Sequence, residues 1–317
     1  MRAGPRLNRR AVGVLAKAQQ LYGVEVHAFV MLGNHWHLSA TYADPEQMAG
    51  FHCHLGTNLS KEVSLLRGWL GTVFPERYHH VEVSEEPEMQ RQRLKYVLAQ
   101  GCKEGLVASP LDWPGASTTA SLVTGEPMIG EWIDRTALRR ALDRGEKVSE
   151  KDFTEELELR LSPIPAMAHL SAEAYRREIR VLVREIEDET AAMHKVDGTR
   201  PLGVDKVKAQ DPEERPDKVK KSPRPWFHAR NPEVRRQIRQ ALVRIHEAYR
   251  KAAEELKEGN RNAAFPVHSF PPGLPFVRQG NEGDGSGGKV GSPKGGPKKG
   301  PGKVPALLRE VELLEPG

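Results

Sequence analysis

Residues 24–41 read VEVHAFVMLGNHWHLSAT: Val24 to Met31 is rich in branched and aromatic residues, Gly33-Asn34 follows as a turn, and His35 to Thr41 runs extended again. The stretch predicts a β-hairpin. On its second strand the side-chain period of two sends His35 and His37 to one face, with Trp36 on the other. Imidazoles so placed can hold one divalent metal, or can simply be surface or half-buried strand histidines. His52-Cys53-His54 has the same spacing but falls in a helix predicted over 45–70, where two residues span about 200 degrees, so those rings diverge. That second pair reads as structural.

On the N-terminal side of the hairpin, Leu7, Val12, Leu15, Ala18 and Leu21 recur at helical spacing, and Gly23 stops the helix. On the C-terminal side, Val81 to Val83 is a short strand candidate and 88–100 a helix ended by Gly101. Tyr96 and Gln100 lie four residues apart on it and share a face, while Leu94, Val97 and Leu98 supply an apolar side. A half-buried tyrosine with its hydroxyl at the rim satisfies that spacing as well as a reactive phenol does. Beyond residue 130, helices are predicted over 132–142 and 172–193, with an acidic segment around 153–161 between them. Residues 196–230 are charged and proline-containing and read as a mobile basic connector. Asn231-Pro232-Glu233 opens a helix running to Gly259. FPVHSFPPGLPFV (265–277) suits a surface groove, and 278–305, with ten glycines and four prolines, is expected to be disordered.

The 317 residues leave room for about two domains, and 29% charged against 38% hydrophobic residues imply that part of the chain lies outside any core. No apolar run approaches the roughly 20 residues of a membrane span, and no secretory h-region is present, so a cytoplasmic protein without a membrane partner is expected. Two cysteines, Cys53 and Cys102, exclude a disulfide framework and a four-thiolate zinc site. The net charge is +5, but residues 1–130 carry 12 basic and 12 acidic side chains whereas 195–251 carry 16 and 8. The basic excess is C-terminal. Seven of the twelve histidines fall in the first 80 residues, which points to chemistry there.

In combination and order, VHAFVMLGNHWHL, a helical stretch, ERYHHVEV and then LKYVLAQGCKEGLVASPLDWPGAS resemble the IS200-like single-tyrosine transposases, especially the REP-associated tyrosine transposases. The likeness covers residues 7 to 120. Gly33 stands where the family commonly has proline, Gln100 where the subgroup usually has asparagine, and Gly101 where it has proline. The resemblance implies an α+β fold with a ferredoxin-like antiparallel sheet. That sheet begins with a strand ahead of the first helix; here the chain begins at the helix, so the sheet is expected to lack it. Residues 1–125 would be the catalytic domain, 126–195 a helical extension, 196–230 the connector, 231–277 a helix with a docking segment, and 278–317 a disordered tail.

Carried over, the family implies that His35 and His37 are metal ligands, that Gln100 is the third protein ligand, and that Tyr96 is the nucleophile. The metal would be Mg2+ or Mn2+. An ordinary phenol is almost entirely protonated at neutral pH, so help on the phosphate side is required. Attack by Tyr96 would give a 5'-phosphotyrosine link and release a 3'-hydroxyl, and a second 3'-hydroxyl could reverse the step to join a new strand. The implied substrate is single-stranded DNA near a hairpin, the implied setting the nucleoid, and family members often act as homodimers. A non-catalytic nucleic-acid-binding descendant and a metal-dependent hydrolase using water remain the alternatives. Tyr78 is the competing phenol. In the extension, Arg224, Trp226, Phe227, His228 and Arg230 mix base-stacking rings with phosphate-neutralising charge, and Arg235 and Arg239 continue the basic face on the next helix. The same aromatics could instead anchor the connector on the folded domain.

Overall fold

The computed structural model describes residues 3–74, 78–211, 226–272 and 307–313. In chain order the elements are α1 (Pro5–Tyr22), β1 (Glu25–Met31), β2 (Trp36–Tyr42), α2 (Pro45–Arg67), β3 (His79–Val83), α3 (Pro87–Leu98), α4 (Gln100–Lys103) and α5 (Thr119–Thr124). There follow β4 (Met128–Ile133), α6 (Arg135–Asp143), β5 (Thr154–Leu159), α7 (Ala172–Asp197), α8 (Val204–Ala209), β6 (Phe227–His228), α9 (Pro232–Lys257) and β7 (Leu307–Leu313). The fold is mixed α+β. The predicted hairpin is present, its strands antiparallel from Glu25↔Thr41 to Met31↔Trp36 with a bulge at His27. Helix α1 ends on Gly23 in the left-handed conformation, φ 65°, and α2 opens on Asp44, whose carboxylate accepts from the Gln47 N–H.

Alternation along β2 assigns its two faces. Trp36, Leu38, Ala40 and Tyr42 enter a core with Leu7, Leu15, Phe51, Leu55 and Leu59 of α1 and α2. On the opposite face, Ala28 and Val30 of β1 pack with Leu94 and Val97 of α3 and with Ile179, Leu182 and Ile186 of α7. The main sheet therefore has helices on both sides, and its hairpin is buried on both.

Several expectations need correction. Residues 126–195 are not simply helical: β4 and β5 pair as an antiparallel ribbon from Met128↔Leu159 to Ile133↔Thr154 and pack on α1. The acidic segment is a strand because Leu157 and Leu159 alternate into the core while Glu155, Glu156 and Glu158 stay outside. Lys17 and Arg9 of α1 meet two of those carboxylates, at 3.2 Å from Glu155 and 2.6 Å from Glu156. The connector is not structureless throughout, since it includes α8 and β6. Residues 1–238 with 306–317 form one compact unit and 239–305 a second. Within the second unit, Tyr249 donates to the Phe270 carbonyl at 2.9 Å and its ring meets Phe265 edge-on at 5.2 Å.

The largest departure lies at the C-terminus. The main sheet has the order β1-β2-β7-β3-β6, with β7 antiparallel to both neighbours and β6 parallel to β3. Within the tail expected to be disordered over 278–317, residues 307–313 form a central strand. The physical reason is local: glycine and proline stop at Pro305, and ALLREVEL after it is free of both. The rest of that tail lies outside the described residues.

Candidate active site

Strand β2 and helices α3 and α4 bring the predicted residues to one face of the sheet. His35 stands just before β2 and His37 within it, and their Nε2 atoms are 3.1 Å apart. The His35 Nδ1–H donates to Asn34 Oδ1 at 2.6 Å, which leaves the His35 Nε2 lone pair directed at its neighbour. Burial pushes the His35 imidazole down from 6.5 to about 4. His37 lies well below its usual value, first through burial, then through the charges of His35 and Lys103. Both rings are therefore neutral at pH 7, the state a metal requires.

Tyr96, half-buried on α3, presents its ring edge-on to His37 with centroids 5.7 Å apart. Gln100 is buried, and its Nε2 donates to the Tyr96 carbonyl at 2.9 Å. The amide nitrogen is thus engaged with the helix backbone, and the carboxamide oxygen is the atom of the pair that can serve a cation. The structure brings His35, His37 and Tyr96 together and holds Gln100 one helical turn beyond the phenol. Adjacent ligands of an octahedral ion with bonds of about 2.1 Å lie about 3.0 Å apart, so the imidazole spacing fits a bound Mg2+ or Mn2+. Among the described residues no cluster of three or more His, Cys, Asp or Glu side chains is placed to hold a metal. Two imidazoles and one amide oxygen would leave the remaining positions to substrate oxygens and water.

Comparison with known proteins gives no match: no family model, no curated protein and no solved structure. The site must speak through its own geometry.

The other motif histidines separate as their helical spacing predicts. His52 is sandwiched between Trp36 and Tyr78, at 5.5 and 4.4 Å, and is joined to the Tyr42 hydroxyl at 2.8 Å, whereas His54 faces Trp132 at 5.4 Å. Tyr78 therefore packs on the α1/α2 side of the sheet, opposite the face that His37 shares with Tyr96. Cys53 is exposed and Cys102 buried, both as free thiols.

Two functional candidates were not singled out from the sequence. Lys103 Nζ lies 3.2 Å from the Tyr96 hydroxyl, and the Arg93 guanidinium sits 4.6 Å from the centre of the Tyr96 ring. Residues 93, 96, 100 and 103 follow an i, i+3, i+7, i+10 pattern on one helical face, a signal already present in the spacing. His228 was read from the sequence with Trp226 and Phe227 as part of a strand-binding mixture; its contact with Arg93 at 2.9 Å had no local signal, since it arrives by strand pairing from 135 residues away.

The aromatic segment of the extension docks on the main sheet. Glu82 N–H donates to the Trp226 carbonyl at 3.3 Å and Ser84 N–H to the His228 carbonyl at 2.9 Å. The Glu86 carboxylate accepts from the backbone of Arg230 and Asn231 at the start of α9, at 2.8 and 2.9 Å. Trp226 is exposed and Phe227 half-buried, so the anchoring is carried mainly by backbone. Arg235 turns back to the Arg230 carbonyl at 3.3 Å. Arg239 belongs to the second compact unit, and Arg224 lies outside the described residues. No helix among the described residues is long and apolar enough to cross a membrane.

Proposed function

We propose that the chain cuts and rejoins single-stranded DNA near a hairpin through a 5'-phosphotyrosine at Tyr96, as a single-tyrosine transposase does. The observation that carries this is the convergence of His35, His37 and Tyr96 from different elements onto one face of the sheet. The strand order supports it as well: β7 lies centrally and antiparallel to both neighbours, in the place a ferredoxin-like sheet gives its first strand. The imidazole pair and the phenol belong to one chain, so this constellation needs no second copy to complete it.

His35 and His37, with the Gln100 oxygen, would hold Mg2+ or Mn2+, which when bound neutralises the non-bridging phosphate oxygens and polarises phosphorus. Tyr96 then supplies the nucleophilic oxygen. Its bond to phosphorus forms as the bond from phosphorus to the 3'-oxygen breaks; the phenol proton passes to solvent, and the departing oxygen takes one from solvent. Asn34 keeps the His35 Nε2 lone pair turned inward. Exposed Trp226 offers a ring on which a base can stack, and Arg230 and Arg235 offer charge to the backbone.

The test is to incubate the full chain with a hairpin-bearing oligonucleotide and manganese, then look for a covalent adduct in denaturing gels. Tyr96→Phe should abolish the adduct and Tyr78→Phe should retain it. Binding without an adduct would favour a non-catalytic DNA-binding protein. Cleavage persisting in Tyr96→Phe would favour water as nucleophile.

A further inference from the structure

We propose that Arg93 and Lys103 form a phosphate clamp over Tyr96, and that His228 of the C-terminal extension is the positioning residue that aims Arg93. The clamp rests on the strand-transfer reading of the same site. Its geometry is direct. Lys103 Nζ is 3.2 Å from the Tyr96 hydroxyl and 4.3 Å from the ring centre, so its ammonium already stands where a phosphate attacked by that hydroxyl must arrive. Arg93, one helical turn before Tyr96, holds its guanidinium 4.6 Å from the ring centre. Lys103 is exposed and makes no salt bridge among the described residues, which leaves its charge available to an incoming anion.

Arg93 and Lys103 both stand against the Tyr96 ring, so the two cations flank the phenol from neighbouring turns of the chain. A guanidinium only donates, so His228 Nε2 must accept from Arg93 in their 2.9 Å contact. His228 can do so because burial, then the charges of Arg93 and His79, push its imidazole down to about 4. Strand β6 fixes the ring by pairing His228 with Val83. The extension thus reaches the phenol through two side chains, His228 onto Arg93 and Arg93 onto the ring.

Two measurements on the full chain test this. First, binding of a hairpin-bearing oligonucleotide is measured without metal as a function of salt. Lys103→Ala and Arg93→Ala should each flatten the log–log slope by about 0.7, the value for one lost single-strand phosphate contact. Second, the rate of adduct formation is measured at saturating oligonucleotide with manganese. Lys103→Ala should slow it by about 100-fold. On a substrate whose scissile phosphate is replaced by methylphosphonate, most of that penalty should vanish, because the charge the clamp serves is gone. His228→Ala should slow the rate about 10-fold, and His228→Gln, whose carboxamide oxygen can accept from Arg93, should restore it to within about threefold. Unchanged salt slopes, or equal Lys103→Ala penalties on both substrates, would overturn the clamp. A silent His228→Ala beside a slow Arg93→Ala would overturn the positioning role. Flattened slopes without any wild-type adduct would keep the phosphate site and remove the covalent chemistry.

Discussion

His27 occupies the extra position of the β1 bulge, and its ring is fully enclosed. Its Nδ1–H donates to the Ser162 carbonyl at 2.9 Å, and its Nε2 accepts from the Thr41 hydroxyl at 2.9 Å. The neutral tautomer satisfies both ring nitrogens, and burial, partly offset by the Ser162 and Pro163 carbonyls, lowers the group to about 4. The unfolded chain takes up this proton below about 6.5 while the folded chain does not until about 4. The stability is therefore present above 6.5 and is lost as the pH falls between those values, on the order of 3 kcal/mol in all. Urea unfolding at pH 6.5 and pH 4.5 should show wild type losing about 2 kcal/mol more than His27→Gln; equal losses would contradict the assignment. The same residue scale shows what spacing can and cannot disclose. The shared face of His35 and His37, and that of Tyr96 and Gln100, were legible because the strand period of two and the helical turn fix faces; that the two faces belong to one site was implied only by the resemblance to the single-tyrosine transposases. Lys103 and Arg93 obey the same helical rule but read as ordinary surface charge until the phenol beside them is seen. His228 is set by a strand pairing between distant segments, which no local pattern encodes.

Helix α1 crosses β4 where both carry glycine. A Cβ on Gly13 would run into the Glu131 backbone, and one on Gly130 into the backbone of Val12 and Gly13, well inside van der Waals contact. Either glycine alone weakens its own element; together they let helix and strand backbones touch, and the ribbon caps the core beneath α1. Backbone cannot swing aside as a side chain does, so Gly130→Ala should destabilise by about 3 kcal/mol, and the melting temperature should fall by roughly 6–12 °C. Gly56, on α2 with open space around it, is the control: alanine there should raise stability slightly. A Gly130→Ala melting curve like that of wild type would refute the crossing. The ribbon also shows why β5 was missed as a strand. TEELEL reads first as charge, and its two leucines reveal a period of two only once an opposing apolar face exists. The hairpin, α2, α7 and α9, each with strong periodicity or a clear opening signal, needed no such partner to be legible.

At the scale of the whole molecule, the sheet that bears the site is closed by the far end of the chain. Strand β7 pairs with all of β2, from Trp36↔Leu313 to Tyr42↔Leu307, and with β3 from His79↔Glu312 to Glu82↔Arg309. β2 carries His37, and β3 leads directly into the helix carrying Tyr96, so the spacing between the two halves of the site is set by one strand between them. Residues 258–306 intervene between α9 and β7, yet closure entropy grows only with the logarithm of length, and seven residues paired with β2, four of them also with β3, can offset it. Composition hid this strand because a glycine-rich average over the tail swamps seven residues. In a strand paired on both sides every N–H enters one ladder or the other, so proline within it removes a ladder bond that water cannot replace. Val311 is paired with both Leu38 and His80. Val311→Pro in the full chain should therefore speed amide exchange of residues 36–42 and 79–83 by at least about 10-fold, the effect of 1.4 kcal/mol, while Lys303→Pro in the glycine-rich run should not. Unaltered protection of β2 and β3 in Val311→Pro would mean that the two strands are held together without the C-terminal one.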